Sequence, residues 1–171
     1  MKVDAIVKGF DDKVAKIGWS ETAKYEDGTP VAYVAIIQEF GSPAVGIPAR
    51  PFIEPTVQDK SAEWIDDIGK GAKAVMRGRL SADDVLEQIG GKVAGEIRQA
   101  IENVNSPALS PVTLLLRKWK REGTKITFAD VKRARQQVAS GDYDISGVNS
   151  DPLTDTGHMI ATLTNWTGKP E

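Results

Sequence analysis

The sequence predicts an α+β fold: a small antiparallel sheet packed against several helices, two of them long. Three observations carry this. Val85, Ile89, Val93, Ile97 and Ile101 recur every four residues, the strongest periodic signal in the chain. Val57, Trp64 or Ile65, Ile68, Ala72 and Val75 form a second stripe of helical spacing. The N-terminal segments 2–9 and 14–20 instead alternate, with Val3, Ala5 and Val7 on one face of the first and Ile17 and Trp19 on one side of the second.

Between these segments Asp11-Asp12 reads as a turn, and Glu26 to Pro30 is a breaker cluster. VAYVAIIQEF follows. Tyr33, Ile36 or Ile37, and Phe40 recur at helical spacing, Pro30 suits a helix start and Gly41 a stop, so a helix is preferred over a buried strand. Residues 41–52, GSPAVGIPARPF, hold three prolines and two glycines, a density that predicts no regular element. The apolar Val45, Ile47 and Phe52 predict that this loop lies against something.

The first long helix follows and ends near Gly78. Ser81 caps the second, with Asp83 and Asp84 favourable in its first turn and an end at 103–106. Gly90-Gly91 in its middle costs about 1 kcal/mol per glycine relative to alanine, which close approach by another element or a kink would explain. SPALSP, 106–111, is a rigid turn into a short helix, 111–121. Thr127 caps a basic helix, 128–139, with Phe128, Val131 and Val138 on its inner side. Residues 140–152 are rich in turn formers and read as mobile. A last helix starts at Thr154 or Asp155 and runs to about Thr164. The whole chain, 1–171, reads as one domain with a basic helical insertion at about 119–150.

Composition excludes several classes of function. The 171 residues contain no cysteine and one histidine, which removes thiolate chemistry, disulfides and a three-histidine metal site. The longest apolar run, 31–37, is far short of the roughly 20 residues of a membrane span. The N-terminus carries acids where a signal peptide has its apolar stretch, so the chain reads as a soluble cytoplasmic product. Net charge is -2, but 117–135 holds eight cations (Arg117, Lys118, Lys120, Arg121, Lys125, Lys132, Arg133 and Arg135) against two acids, a local +6. A basic segment of this kind meets either DNA or an acidic neighbour.

Candidate chemistry is sparse. His158 follows Asp155 by three positions, but no nucleophile or pocket is indicated, so it reads as structural. The acid pairs Asp11-Asp12, Asp66-Asp67 and Asp83-Asp84 point to different sides of their elements and read as solvated faces or first-turn charge. No phosphate-binding glycine pattern is present. Catalytic, cofactor-binding and metal-binding residues are therefore expected to be none. Trp119, set among cations, suits an interface or core anchor, or base stacking. Arg50, between prolines in IPARPF, suits structure or a subunit contact.

YVAIIQEFGSP (33–43), IPARPFIEP (47–55), SPALSPVTLLLRK (106–118) and DPLTDTGHM (151–159), in that order, resemble the virion-morphogenesis and tail-component family of tailed bacteriophages. Glu39, Phe40 and Gly41 match that family's Glu-Phe-Gly turn, and Ile47 to Phe52 match its Ile-Pro-Ala-Arg-Pro-Phe. Pro107, Leu109, Pro111 and Thr113 match the stretch before the basic helix. Pro152, Leu153, Asp155, Thr156 and Gly157 match the Pro-Leu-x-x-Thr-Gly segment. The chain departs from the family by inserting 119–150 and by ending at Glu171, with little room for a closing hairpin. The sheet is then smaller, or is completed by the N-terminal strands or a neighbouring copy.

The resemblance implies a non-enzymatic structural protein of the virion neck or upper tail, assembled in the bacterial cytoplasm. It implies a ring of copies, six-fold favoured over twelve-fold, around the DNA channel. Its neighbours would be the portal-side connector and the tail-terminator or tail-tube proteins. Genomic DNA would pass without sequence-specific contact, and neither membrane nor cofactor is expected. Phe40, Arg50, Phe52 and Trp119 are then the expected interface residues. A DNA-binding cytoplasmic protein using 117–135 is the alternative.

Overall fold

The structure, a computed structural model, describes residues 10 and 12–170. The strand expected at 2–9 lies outside the described residues. Strand β1 spans Val14–Gly18 and β2 spans Thr164–Gly168; they pair antiparallel, with Lys16 opposite Trp166. Six helices lie between them: α1 Val31–Phe40, α2 Ile53–Met76, α3 Ala82–Asn103, α4 Pro111–Arg121, α5 Phe128–Ser140 and α6 His158–Thr162. Among the described residues the result is a small two-stranded antiparallel sheet packed against six helices, α2 and α3 being the long ones.

Helix α3 is the axis of the fold. α2 packs along one side of it, and both strands lie against it. Its every-fourth-residue stripe becomes the core: Val93, Ile97 and Ile101 meet Val31 and Ala35 of α1, Phe52, Leu153, Met159 and Leu163. A capping box starts the helix, with Ser81 Oγ accepting from the Asp84 amide and the Asp84 carboxylate accepting from the Ser81 amide. Gly90 sits where β2 crosses: a Cβ there would lie 2.9 Å from Asn165 Nδ2, whereas Gly91 faces open space. Close approach therefore accounts for the first glycine only.

Four expectations need correction. The closing segment holds a shorter helix than 154–164. Left-handed Gly157 precedes its first residue, Asp155 is engaged by Arg117, and extended Leu163 leads into β2, which was not foreseen. Phe128 is 83% exposed rather than inward. It lies about a third of a turn from the centre of the face that buries Ala134. The loop 41–52 contains one short 3-10 turn, Pro43–Val45, and leaves Val45 exposed while burying Phe52. Finally, the Tyr33, Ile36, Phe40 stripe of α1 faces outward. The side it buries is Val31, Ala35 and Glu39.

Candidate functional site

The four motif segments meet around three charged side chains that are buried or nearly so. Glu39, at the end of α1, is 5% exposed and serves the next helix. Its Oε2 accepts from the amides of Phe52 and Ile53 at 2.8 and 2.9 Å, and its Oε1 from the amide of Glu54 at 2.9 Å. These donors belong to the first turn of α2, where helical amides have no partner within the helix and the dipole favours a negative charge. Gly41 makes the intervening turn possible. Its φ is +73°, and a Cβ there would lie 2.7 Å from the Ala49 amide nitrogen.

Arg50 is 4% exposed. Its Nε donates to the Pro107 carbonyl at 2.8 Å and its Nη2 to the Ala108 carbonyl at 3.3 Å, tying IPARPF to SPALSP. Its backbone amide donates to the Gln38 carbonyl at 2.7 Å, closing the same loop onto α1. Burial lowers the guanidinium pKa from its ordinary value. Phe52, 1% exposed, meets Trp19 edge-to-face with ring centroids 6.3 Å apart. Trp19 Nε1 in turn donates to the Met159 carbonyl at 2.8 Å.

Arg117, on α4, holds the fourth segment. Nη1 donates to the carbonyls of Asn149 and Asp151 at 3.0 and 2.9 Å, and Nη2 to that of Pro152 at 3.1 Å. Its Nε lies 3.4 Å from the Asp155 carboxylate. Burial lowers its pKa, and Asp155 works in the opposite direction. The segment 140–152 is thus bound to α4 rather than detached. Lys118 adds a contact to Asp144 Oδ2 at 2.6 Å, which holds that carboxyl well below the usual carboxylate range.

Of the four residues expected at an interface, Arg50 and Phe52 are inside the fold, so a docking role for them is corrected to a structural one. Phe40 is 70% exposed. Trp119 is half-buried, with the Arg133 guanidinium 4.1 Å above its ring, joining α4 to α5. The eight cations therefore divide. Arg117, Lys118 and Arg133 are engaged within the fold; Arg133 also pairs with Asp130 at 3.0 Å. Lys120, Arg121, Lys125, Lys132 and Arg135 are exposed. An open groove of about 460 Å³ beside Trp119 carries Lys118 together with Glu122, Asp142 and Asp144, a mixed lining unsuited to a polyanion.

His158 Nε2–H donates to the Lys24 carbonyl at 2.9 Å, and its ring packs on Tyr25 at 5.2 Å. Burial, then Asp155 and Asp27, raise the Tyr25 pKa. Two of the acid pairs, Asp66-Asp67 and Asp83-Asp84, are occupied, while Asp11 lies outside the described residues. Asp67 and Glu63 hold Lys92 at 2.6 and 2.5 Å, Asp66 holds Lys70 at 2.7 Å, and Asp83 holds Lys13 at 2.7 Å. Among the described residues no group of three histidines or carboxylates is placed to hold a metal, and no helix is long and apolar enough to cross a membrane.

The chain matches no protein-family model, no curated protein and no solved structure. Sequence reasoning missed Glu39 as a cap because its donors lie thirteen to fifteen residues away, beyond any local capping pattern. The signal available was a lone charge in an otherwise uncharged helix.

Proposed function

We propose that this chain is a structural protein of the neck or upper tail of a tailed bacteriophage, copies of which form a ring joining the head connector to the tail around the DNA channel. The observation that carries this reading is the convergence of the four segments that resemble the tail-component family. Glu39, Arg50 and Arg117 join all four through backbone groups 13 to 58 residues away. Motif residues that lock a framework suit a ring protein, which must hold its shape at contacts on both sides and needs no reaction centre.

A second reading, a DNA-binding protein, draws on Arg121, Lys125, Lys132 and Arg135, all exposed on or beside α4 and α5. Titration against several duplexes at two salt concentrations separates the two. Weak binding without sequence preference, at or above the micromolar range of non-specific contacts at physiological salt, is expected of the ring protein. Nanomolar binding to one duplex, with random duplexes much weaker, overturns the ring reading.

A further inference from the structure

We propose that two copies of this chain join by seating the outer face of α1 of one copy on the outer face of α2 of the next, a head-to-tail contact. The proposal rests on the ring reading for closure of the assembly; the contact itself rests on two apolar faces that lie exposed among the described residues.

The first face is α1. Its one charged residue, Glu39, is buried, so everything it shows to solvent is uncharged. Tyr33, Ile36 and Phe40 lie 58, 57 and 70% exposed, and Val45 in the following turn 71%. The second face is α2, a helix of 24 residues with none fully buried. Val57, Ile65, Ile68 and Met76 are exposed on it by 41, 69, 42 and 53%. At about 100° per residue these four fall, with Ala62 and Gly69, on one arc of roughly 140°; between positions 57 and 76 every charged residue of α2 lies off that arc. An uncharged arc maintained over five turns exceeds the scattered apolar exposure of an ordinary surface.

Area and shape select the pairing. Aromatic side chains carry roughly 200 Å² each, so with Ile36 and Val45 the α1 face offers roughly 400 Å² of apolar surface, and the α2 face offers about the same. A standard interface removes roughly 800 Å² per partner, a little over half of it apolar. Each face is thus about one side of one interface. Helix α1 presents two bulky rings. Helix α2 presents aliphatic side chains separated by Ala62 and Gly69, and a Cβ at Gly69 would meet nothing within 4 Å. Rings fit such gaps; α1 against α1 would set ring on ring, and α2 against α2 would leave the gaps unfilled. A single contact of unlike faces covers both, and contacts of that type close into rings when the rotation allows.

The test uses the full chain and two charge insertions at exposed positions, Phe40→Asp and Ile65→Asp. Both variants should keep the wild-type melting transition. By sedimentation the wild type should self-associate, each variant alone should associate at least about 100-fold more weakly, and an equimolar mixture should form a dimer that grows no further. In that mixture the intact α1 face of one variant meets the intact α2 face of the other. A monomeric wild type, a variant that still self-associates alone, or a mixture that stays monomeric overturns the contact. Particles that lack the chain while the mixture still dimerises remove the ring reading and leave the contact; normal incorporation of both variants into particles removes the contact alone.

Discussion

Replacing Glu39 with glutamine tests whether one buried carboxylate holds the turn between α1 and α2. Its two oxygens accept from three amides of the first turn of α2 at 2.8 to 2.9 Å. Glutamine keeps one acceptor and converts the other into an NH₂ group, which only donates. At least one amide then loses its acceptor and faces a second donor. A hydrogen bond to a charged group contributes about 1.5–3 kcal/mol. Removing the negative charge from a partly buried helix N-terminus costs up to about 2 kcal/mol more. The expected loss is about 3 kcal/mol, so at roughly 2–4 °C per kcal/mol for a domain of this size the melting temperature should fall by about 6–12 °C. Calorimetry and urea unfolding measure it, with the urea midpoint moving and the slope unchanged. Glu39→Ala, which abandons all three amides, should lose more. A Glu39→Gln protein melting within about 2 °C of the wild type would refute the capping role.

Three further outcomes follow from the packing and the charges. Arg50→Met should cost about 2 kcal/mol of folding stability, because the carbonyls of Pro107 and Ala108 lose a charged donor; an unchanged melt would place the loop connection elsewhere. Gly91→Ala should stabilise by up to about 1 kcal/mol, while Gly90→Ala, whose Cβ would press on Asn165, should destabilise; equal effects would remove the close approach as the reason for the glycine. Asp144 has a folded pKa below its ordinary value of 3.8 because Lys118 and Ser146 donate to it. Its contribution is therefore fully present above the ordinary value and is lost as pH falls through the lower folded one. The stability difference between wild type and Asp144→Asn should be constant at neutral pH and shrink in acid, and a difference that grows on acidification would reverse the assignment.

Much of the fold was legible because it is written in local chemistry. The every-fourth-residue stripe of α3 and the Ser81 cap gave that helix both its position and its buried face, and Thr127 marked the start of α5. Helix α1 shows the limit. Periodicity located the helix but inverted its faces, since its buried side joins Val31 and Ala35 to the charged Glu39, while the bulkier Tyr33 and Phe40 stay outside. Strand β2 escaped for another reason. Five residues, TNWTG, carry little alternation, and their strand conformation depends on pairing with β1 about 150 residues away. The candidate site was legible as motifs but not as roles. Arg50 and Phe52 stood out by their setting between prolines, yet only the folded chain shows that their partners are Pro107, Ala108 and Trp19 and that both are interior.

The proposed role of this chain, a ring-forming component of a phage neck or upper tail, can be inspected directly in the particle. Reconstruction of intact particles, with the neck density resolved well enough to place α2 and α3 and to identify side chains along them, tests it most directly. The proposed role predicts this chain in a closed ring between head connector and tail, six-fold or else twelve-fold, around the DNA channel, with Glu39, Arg50 and Phe52 inside each copy. Particles complete in the neck and tail but lacking the chain, or holding it as an isolated copy away from the channel, would contradict it.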